Sequence, residues 1–271
     1  MALIDDLRSK FEMVSRRGRA NLVTSLAFFR ERGRDSRYSI IPFDKWQIAN
    51  IVVVAVFALA VTAVLFDPWL LPWRANLPSP VRSALSNYTY LGKSHWMLIG
   101  SGLYFIVALF RDITQLAQPH RLRRVVRAWA AFYVFSSVAV SGVIVNIFKY
   151  GLGRARPRHF EEFGAFAFDP LSIEASWASF PSGHATSAAS LAVALSLLFP
   201  RFAGDFISMG MIVAVTRMAA GAHYPSDMLG GCLLGALLSW VLARSFAARR
   251  LVFGFDSSGR LIRRHRFFGS S

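Results

Sequence analysis

An all-α, polytopic membrane protein with six transmembrane helices is the fold class this sequence predicts. Three observations carry that reading. Apolar residues fill 54% of the 271 positions and mean hydropathy is +0.41, values outside those of an ordinary soluble domain. The apolar residues gather into six runs, approximately 47–66, 95–110, 128–148, 184–199, 206–222 and 227–246. The 31 Lys and Arg are divided unequally between the segments that join those runs: an N-terminus inside places 23 on the cytoplasmic face and eight opposite.

The chain opens with a polar, basic segment, residues 1–45, in which Ile4, Leu7, Phe11 and Val14 follow 3,4,3 spacing. That spacing predicts an amphipathic helix on the cytoplasmic surface, the alternative being a disordered basic leader. The first apolar run begins only at residue 47, so it reads as a retained helix and not as a cleaved signal peptide. The first, third and sixth runs approach the ~20 residues that cross a bilayer core; the second, fourth and fifth are shorter or interrupted by polar groups. The membrane domain is therefore expected over 46–247, followed by a basic cytoplasmic tail over 248–271. The net charge of +16 reads as this topology signal with basic tails on anionic lipid, and nucleic-acid binding is a poor account of it. The single cysteine, Cys232, lies in the sixth run, where packing explains it and no intrachain disulfide is available. Gly231 and Gly235 in the same run form a small-xxx-small pair, read first as close packing within the chain and second as a dimer contact.

Polar groups suited to phosphate chemistry sit at the rims of these runs. Ser182, Gly183 and His184 immediately precede the fourth, so Ser182 is placed as a helix cap whose free backbone N–H groups and positive dipole end form an anion cradle. Gly183 lets that backbone approach the anion closely. Arg217, near the end of the fifth run, has the planar fork that suits phosphate oxygens, and a charge there calls for a partner or a watery cavity. His223 and Asp227 are four positions apart, the spacing that stacks side chains on one helical face, with Pro225 as a first-turn residue. The carboxylate would hold one ring nitrogen and leave the other as a nucleophile. Lys149 and Arg156, seven positions apart, would lie ~10 Å apart on a straight helix. Gly151 and Gly153 are expected to unwind the chain and bring them together, and Pro157 to stop the helix. Arg154 and Arg158 are read as interfacial charges in preference to further phosphate contacts. His95, His120, His159 and His265 fit ordinary interface roles.

Taken in order, Lys-x6-Arg-Pro (Lys149, Arg156, Pro157), Pro-Ser-Gly-His (181–184) and Arg-x5-His-x3-Asp (Arg217, His223, Asp227) resemble the type 2 phosphatidic acid phosphatase family of integral membrane phosphatases. Thr216 stands where that family usually has Ser, and keeps the hydroxyl. The resemblance implies a six-helix core, attack on phosphorus by His223 to give a phosphohistidine, and His184 as the proton donor and later acceptor. Lys149, Arg156, Ser182, Gly183 and Arg217 would bind the phosphate and Asp227 would orient His223. No metal-ligand cluster and no cofactor motif is legible, so fixed cations are expected to neutralise the developing charge.

The expected function is hydrolysis of a lipid phosphate monoester or diphosphate at the outer face, with all three motifs on that side. Candidate substrates are undecaprenyl diphosphate, phosphatidylglycerophosphate, phosphatidic acid and lipid A phosphates. The rivals are a lipid phosphotransferase of the same fold and a non-catalytic phospholipid-binding membrane protein. The motifs leave the substrate and oligomeric state open, as they do the role of the aromatic 158–180 loop: lid, lipid entrance, or a segment packed over the helix ends.

Overall fold

The computed structural model describes residues 2–31, 37–112 and 116–264. His265 and the last residues of the basic tail lie outside them. The described chain is almost wholly helical: α1 Ala2–Glu31, α2 Lys45–Leu65, α3 Leu70–Ala75, α4 Ser79–Tyr88, α5 Ser94–Phe110, α6 Gln118–Leu152, α7 Phe160–Phe163, α8 Gly183–Leu198, α9 Ala203–Ala219 and α10 Pro225–Ala248. Each of the six apolar runs falls on one of these, respectively α2, α5, α6, α8, α9 and α10. Among the described residues, five helical stretches, Lys45–Ala75, Ser79–Phe110, Gln118–Leu152, Pro200–Ala219 and Pro225–Ala248, are long and apolar enough to cross a bilayer. The expected count of six rests on α8, whose 16 residues reach only ~24 Å.

The chain divides into two compact units. The larger comprises residues 41–97 and 136–242. Here α2 presents Val53, Val54 and Phe57, each about two-thirds exposed, as a lipid-facing helix does. In contrast, α8 buries Ala185, Thr186, Ala188, Ala192 and Ala194. Small residues explain the difference. A Cβ at Gly210 of α9 would stand 2.8 Å from that of Ala192, and Cβ atoms at Gly231 and Gly235 of α10 would strike the Ser182 and Thr186 carbonyls. The small-xxx-small pair thus packs α10 against α8 within the chain. Surrounded by protein, α8 has little lipid to match in length, and its first residue is held at the level of the α10 start.

The smaller unit comprises residues 1–40, 98–135 and 243–271. Ile4, Leu7, Phe11 and Val14 are exposed along α1. The helix is fastened further along, where Gly18 meets the Phe110 ring, Asn21 Nδ2 donates to the Leu109 carbonyl (2.6 Å) and Arg17 pairs with Asp112 (3.0 Å). The basic tail departs from the all-helical expectation by forming an antiparallel hairpin, β1 Phe253–Phe255 with β2 Leu261–Arg263. Asp256 makes its turn, accepting from the Ser258 and Arg260 N–H groups at 2.9 Å each, and Gly259 supplies the positive φ of 78°. Phe253 anchors the hairpin edge-on against Tyr133, 5.0 Å between ring centres.

Candidate active site

The end of α6 shows how Lys149 and Arg156 are brought to one place. Gly151 remains helical, so the expectation that both glycines unwind the chain is corrected: Gly153 alone does this, at φ 61°, with its N–H on the Lys149 carbonyl (2.9 Å). A side chain there would collide with the Asp169 carbonyl. Beyond it the backbone is extended and pinned to the following loop, Ala155 N–H to Ala167 O and Arg156 N–H to Ser176 O, both 3.0 Å. The Arg156 guanidinium donates to Ala178 O at 3.4 Å, and Pro157 opens a short 3-10 turn, Pro157–His159.

Ser182 caps α8 as the sequence predicts, its Oγ accepting from Ala185 N–H at 3.5 Å and its own N–H bound to the Asp227 carbonyl at 2.9 Å. Gly183 faces Lys149: a Cβ would lie 3.5 Å from Lys149 Nζ. His184 packs on Gly92, where a Cβ would come 3.0 Å from that of His184. Arg217 Nη1 donates to Thr89 Oγ1 at 2.8 Å. The Thr216 hydroxyl turns back to the Val213 carbonyl of its own helix (2.6 Å).

His223 and Asp227 do not share a helical face. Pro225 is the first residue of α10, so His223 lies in the preceding turn, and Asp227 reaches back from the third helical position to the Tyr224 N–H (2.9 Å) as the acidic half of a capping box. His223 Nδ1 lies 3.6 Å from Asp227 Oδ2, within ion-pair reach but beyond a hydrogen bond. That oxygen already accepts from Ser179 Oγ at 2.6 Å, and Oδ1 accepts from Arg154 at 2.6 Å. Arg154, expected at the interface, is instead 3% exposed, and its second partner is Asp67, which the sequence reading passed over. A carboxylate ending the first apolar run was the available signal for Asp67. Thr89 and Ser179 carried none, being hydroxyls outside the three motifs. Arg158 is exposed, as an interfacial charge would be.

These side chains form one electrostatic group. Lys149 senses Arg156, Arg217 and Asp227, while His184 senses Arg217, His223 and Lys149. Burial pushes the His223 ring down to about 4 against the pull of Asp227, so it is neutral at pH 7. Arg156 is also lowered, by burial and then by Arg158, yet its ordinary value is so high that it stays charged. Arg156 Nε and Arg217 Nε are buried with no hydrogen-bond partner among the described residues, as is His223 Nδ1. Three cations, a capped helix start and two imidazoles suit a tetrahedral or five-coordinate oxyanion. The loop beside them divides its apolar residues: Phe160 packs onto Leu70, Ala165 and Tyr224 and Trp177 stacks on His159, whereas Phe166, Phe168, Leu171 and Ile173 are half to nine-tenths exposed.

The profile of the PAP2 superfamily matches residues 130–251, which contain every motif residue. A lipid A 1-phosphatase of Rhizobium johnstonii is 33% identical over 79% of this chain and 86% of its own length. The chain belongs to the PAP2 superfamily. Phosphatidylglycerophosphatase B of Bacillus subtilis is 25% identical over 76% of this chain and 86% of its own. The crystal structure of a transmembrane PAP2-type phosphatidylglycerolphosphate phosphatase from Bacillus subtilis aligns over 83% of this chain and 94% of that one, with 21% identity and a TM-score of 0.43. Membership, together with the apolar helices, makes this an integral membrane phosphatase of the PAP2 superfamily.

Proposed function

We propose that this protein hydrolyses a lipid phosphate through a phosphohistidine intermediate, and that lipid A phosphate is the first substrate to test. The observation that carries the reading is the common electrostatic environment of Lys149, Arg156, Arg217, His184 and His223 around the start of α8. The substrate class draws support from the Rhizobium lipid A 1-phosphatase, whose similarity extends well beyond the motifs. In the first step the free nitrogen of neutral His223 attacks phosphorus in line, the bond to the lipid oxygen breaks, and His184 gives that oxygen its proton. In the second, His184 takes a proton from water as the water oxygen attacks phosphorus, the P–N bond breaks, and inorganic phosphate leaves. Lys149, Arg156, Arg217 and the N–H of Gly183, at the helix start that Ser182 caps, hold the equatorial oxygens. Asp227 orients His223, the 3.6 Å separation closing as the ring gains charge.

No metal takes part in this scheme. The basic-residue partition supports a membrane phosphatase domain over 46–247, cytoplasmic segments 1–45 and 248–271, and a site on the opposite face, periplasmic in a bacterial inner membrane. Phosphate release by detergent-solubilised protein from lipid A, undecaprenyl diphosphate, phosphatidylglycerophosphate and phosphatidic acid tests the reading. Release from at least one, lost in His223→Gln, is expected. Retained release in His223→Gln refutes the nucleophile; phosphate transferred only to a second lipid would make the protein a transferase.

A further inference from the structure

Two buried carboxylates share one guanidinium behind His223. Arg154 uses all five of its N–H groups: Nη1 donates to Asp227 Oδ1 (2.6 Å) and Ser226 Oγ (2.7 Å), Nη2 to Asp67 Oδ2 (2.7 Å) and Ala165 O (2.8 Å), and Nε to Ala165 O (3.2 Å). None is left for a phosphate. The guanidinium also lies over the Tyr224 ring at 4.5 Å, and Asp67 and Asp227 are at most 1% exposed. Asp67 is itself fixed by the Ser226 N–H (3.0 Å) and hydroxyl (2.6 Å). Ser226 stands beside Asp227 in the chain, so the segment after α2 is tied to the first turn of α10 on two sides.

We infer that Asp67 and Arg154 are positioning residues for phosphoryl transfer, acting through Asp227 on His223. The inference rests on the proposed role of His223 as nucleophile. Arg154 fixes Oδ1 of Asp227 and so presents Oδ2 to the ring, where Ser179 and the Tyr224 N–H hold it in place. Alone with Asp227, the guanidinium would cancel its charge. By taking up part of that positive charge, Asp67 leaves the buried set with one net negative charge. It lies next to the imidazole that becomes cationic on phosphorylation, and an uncompensated opposite charge at short range in a dry site is strongly stabilising. The other charged or titratable groups that act on the ring are Lys149 of α6, Arg156 of the following loop and His184 of α8. Asp67 lies outside residues 130–251, so no motif points to it.

The test compares Asp67→Asn, Asp67→Glu, Arg154→Gln and the Asp67→Asn/Arg154→Gln pair in full-length, detergent-solubilised protein. Histidine-labelled NMR gives the ring titration of residue 223, assigned by the resonance missing from His223→Gln, alongside kcat, KM and thermal unfolding. Asp67→Asn should lower kcat roughly 10- to 100-fold, with KM changed less than about threefold, and should lower the titration of His223. Arg154→Gln should raise that titration by about one pH unit, the low end for a charge at this range, with the pair returning toward wild type and Asp67→Glu restoring much of kcat. A merely structural role would lower thermal stability without moving the titration in opposite directions. Unchanged kcat and titration in folded Asp67→Asn overturns the inference; so does a shift of the same sign in both single variants. If Arg154→Gln fails to fold, Asp67→Asn decides. Should phosphate be found on a residue other than His223, the titration shifts still report the coupling, and the failure then belongs to the nucleophile assignment.

Discussion

Replacing Gly183 by Ala separates folding from phosphate binding at one atom. Gly183 is the first residue of α8 and its φ is not positive, so Ala fits the backbone. The added methyl would meet Lys149 Nζ at 3.5 Å and Cε at 3.6 Å, ordinary contact with the movable end of a side chain. Removing a helical glycine should therefore stabilise the fold by about 0.5–1 kcal/mol, less whatever Lys149 loses in adjusting. The same methyl stands between the helix N–H groups and Lys149, where the proposed phosphate is held. The N–H groups remain, but the methyl keeps the anion from reaching them, and losing the use of one preorganised oxyanion donor lowers turnover roughly 10²- to 10³-fold. Thermal unfolding and phosphate release on one detergent preparation give both quantities. Activity within about threefold of wild type in a variant that melts no lower would refute the cradle at Gly183.

Because the neutral ring of buried His223 persists to about pH 4 while the unfolded chain takes up its proton near 6.5, the group favours folding fully above pH 6.5. The melting temperature should fall between those values as pH drops, and His223→Gln should lack that share of the slope. Activity should persist in excess chelator and be inhibited by vanadate, a five-coordinate phosphorus mimic; recovery only on adding a divalent ion would count against fixed cations as the charge-neutralising groups. In a Cys232→Ala background, Asn87→Cys should react with an impermeant thiol reagent on intact cells and Ser257→Cys should not, the reverse pattern inverting the topology. Leu171→Ser with Ile173→Ser, at two of the most exposed apolar positions of the 158–180 loop, should reduce turnover of vesicle-bound lipid phosphate several-fold and leave a soluble aryl phosphate unaffected, as loss of a lipid contact requires.

What the sequence made legible follows from the range of each interaction. Hydropathy is summed over a local window, so all six apolar runs emerge as helices, and the Ser182 cap is visible because a cap acts within four residues. The spacing led to the expectation of His223 and Asp227 on one helical face, whereas Pro225 favours the first helical position and leaves His223 outside the helix. Two three-residue strands are too short to register as a period, although Asp256 and Gly259 mark the turn between them. The partnership of Arg154 with Asp67 crosses 87 positions, and nothing local distinguishes it from an arginine at a lipid surface.

The cations of the site differ by a measure independent of motif. Arg154 has every donor satisfied by protein and two carboxylates beside it; it is spent on holding Asp227 and Ser226 in place. Arg156 and Arg217 each make one outward bond to a protein oxygen, at 3.4 and 2.8 Å, and keep a buried Nε unmatched. An unmatched buried donor costs about 1–3 kcal/mol, a penalty that an anion bound beside it can offset. Saturated donors rigidify, and unsaturated ones remain available to charge that arrives with a substrate. On that measure the arginine two positions before Arg156 belongs to the scaffold, although the two are neighbours in sequence and equal in charge. Phosphate affinity should therefore respond to Arg156→Lys and Arg217→Lys through KM, whereas loss of Arg154 should appear in kcat and in the titration of His223.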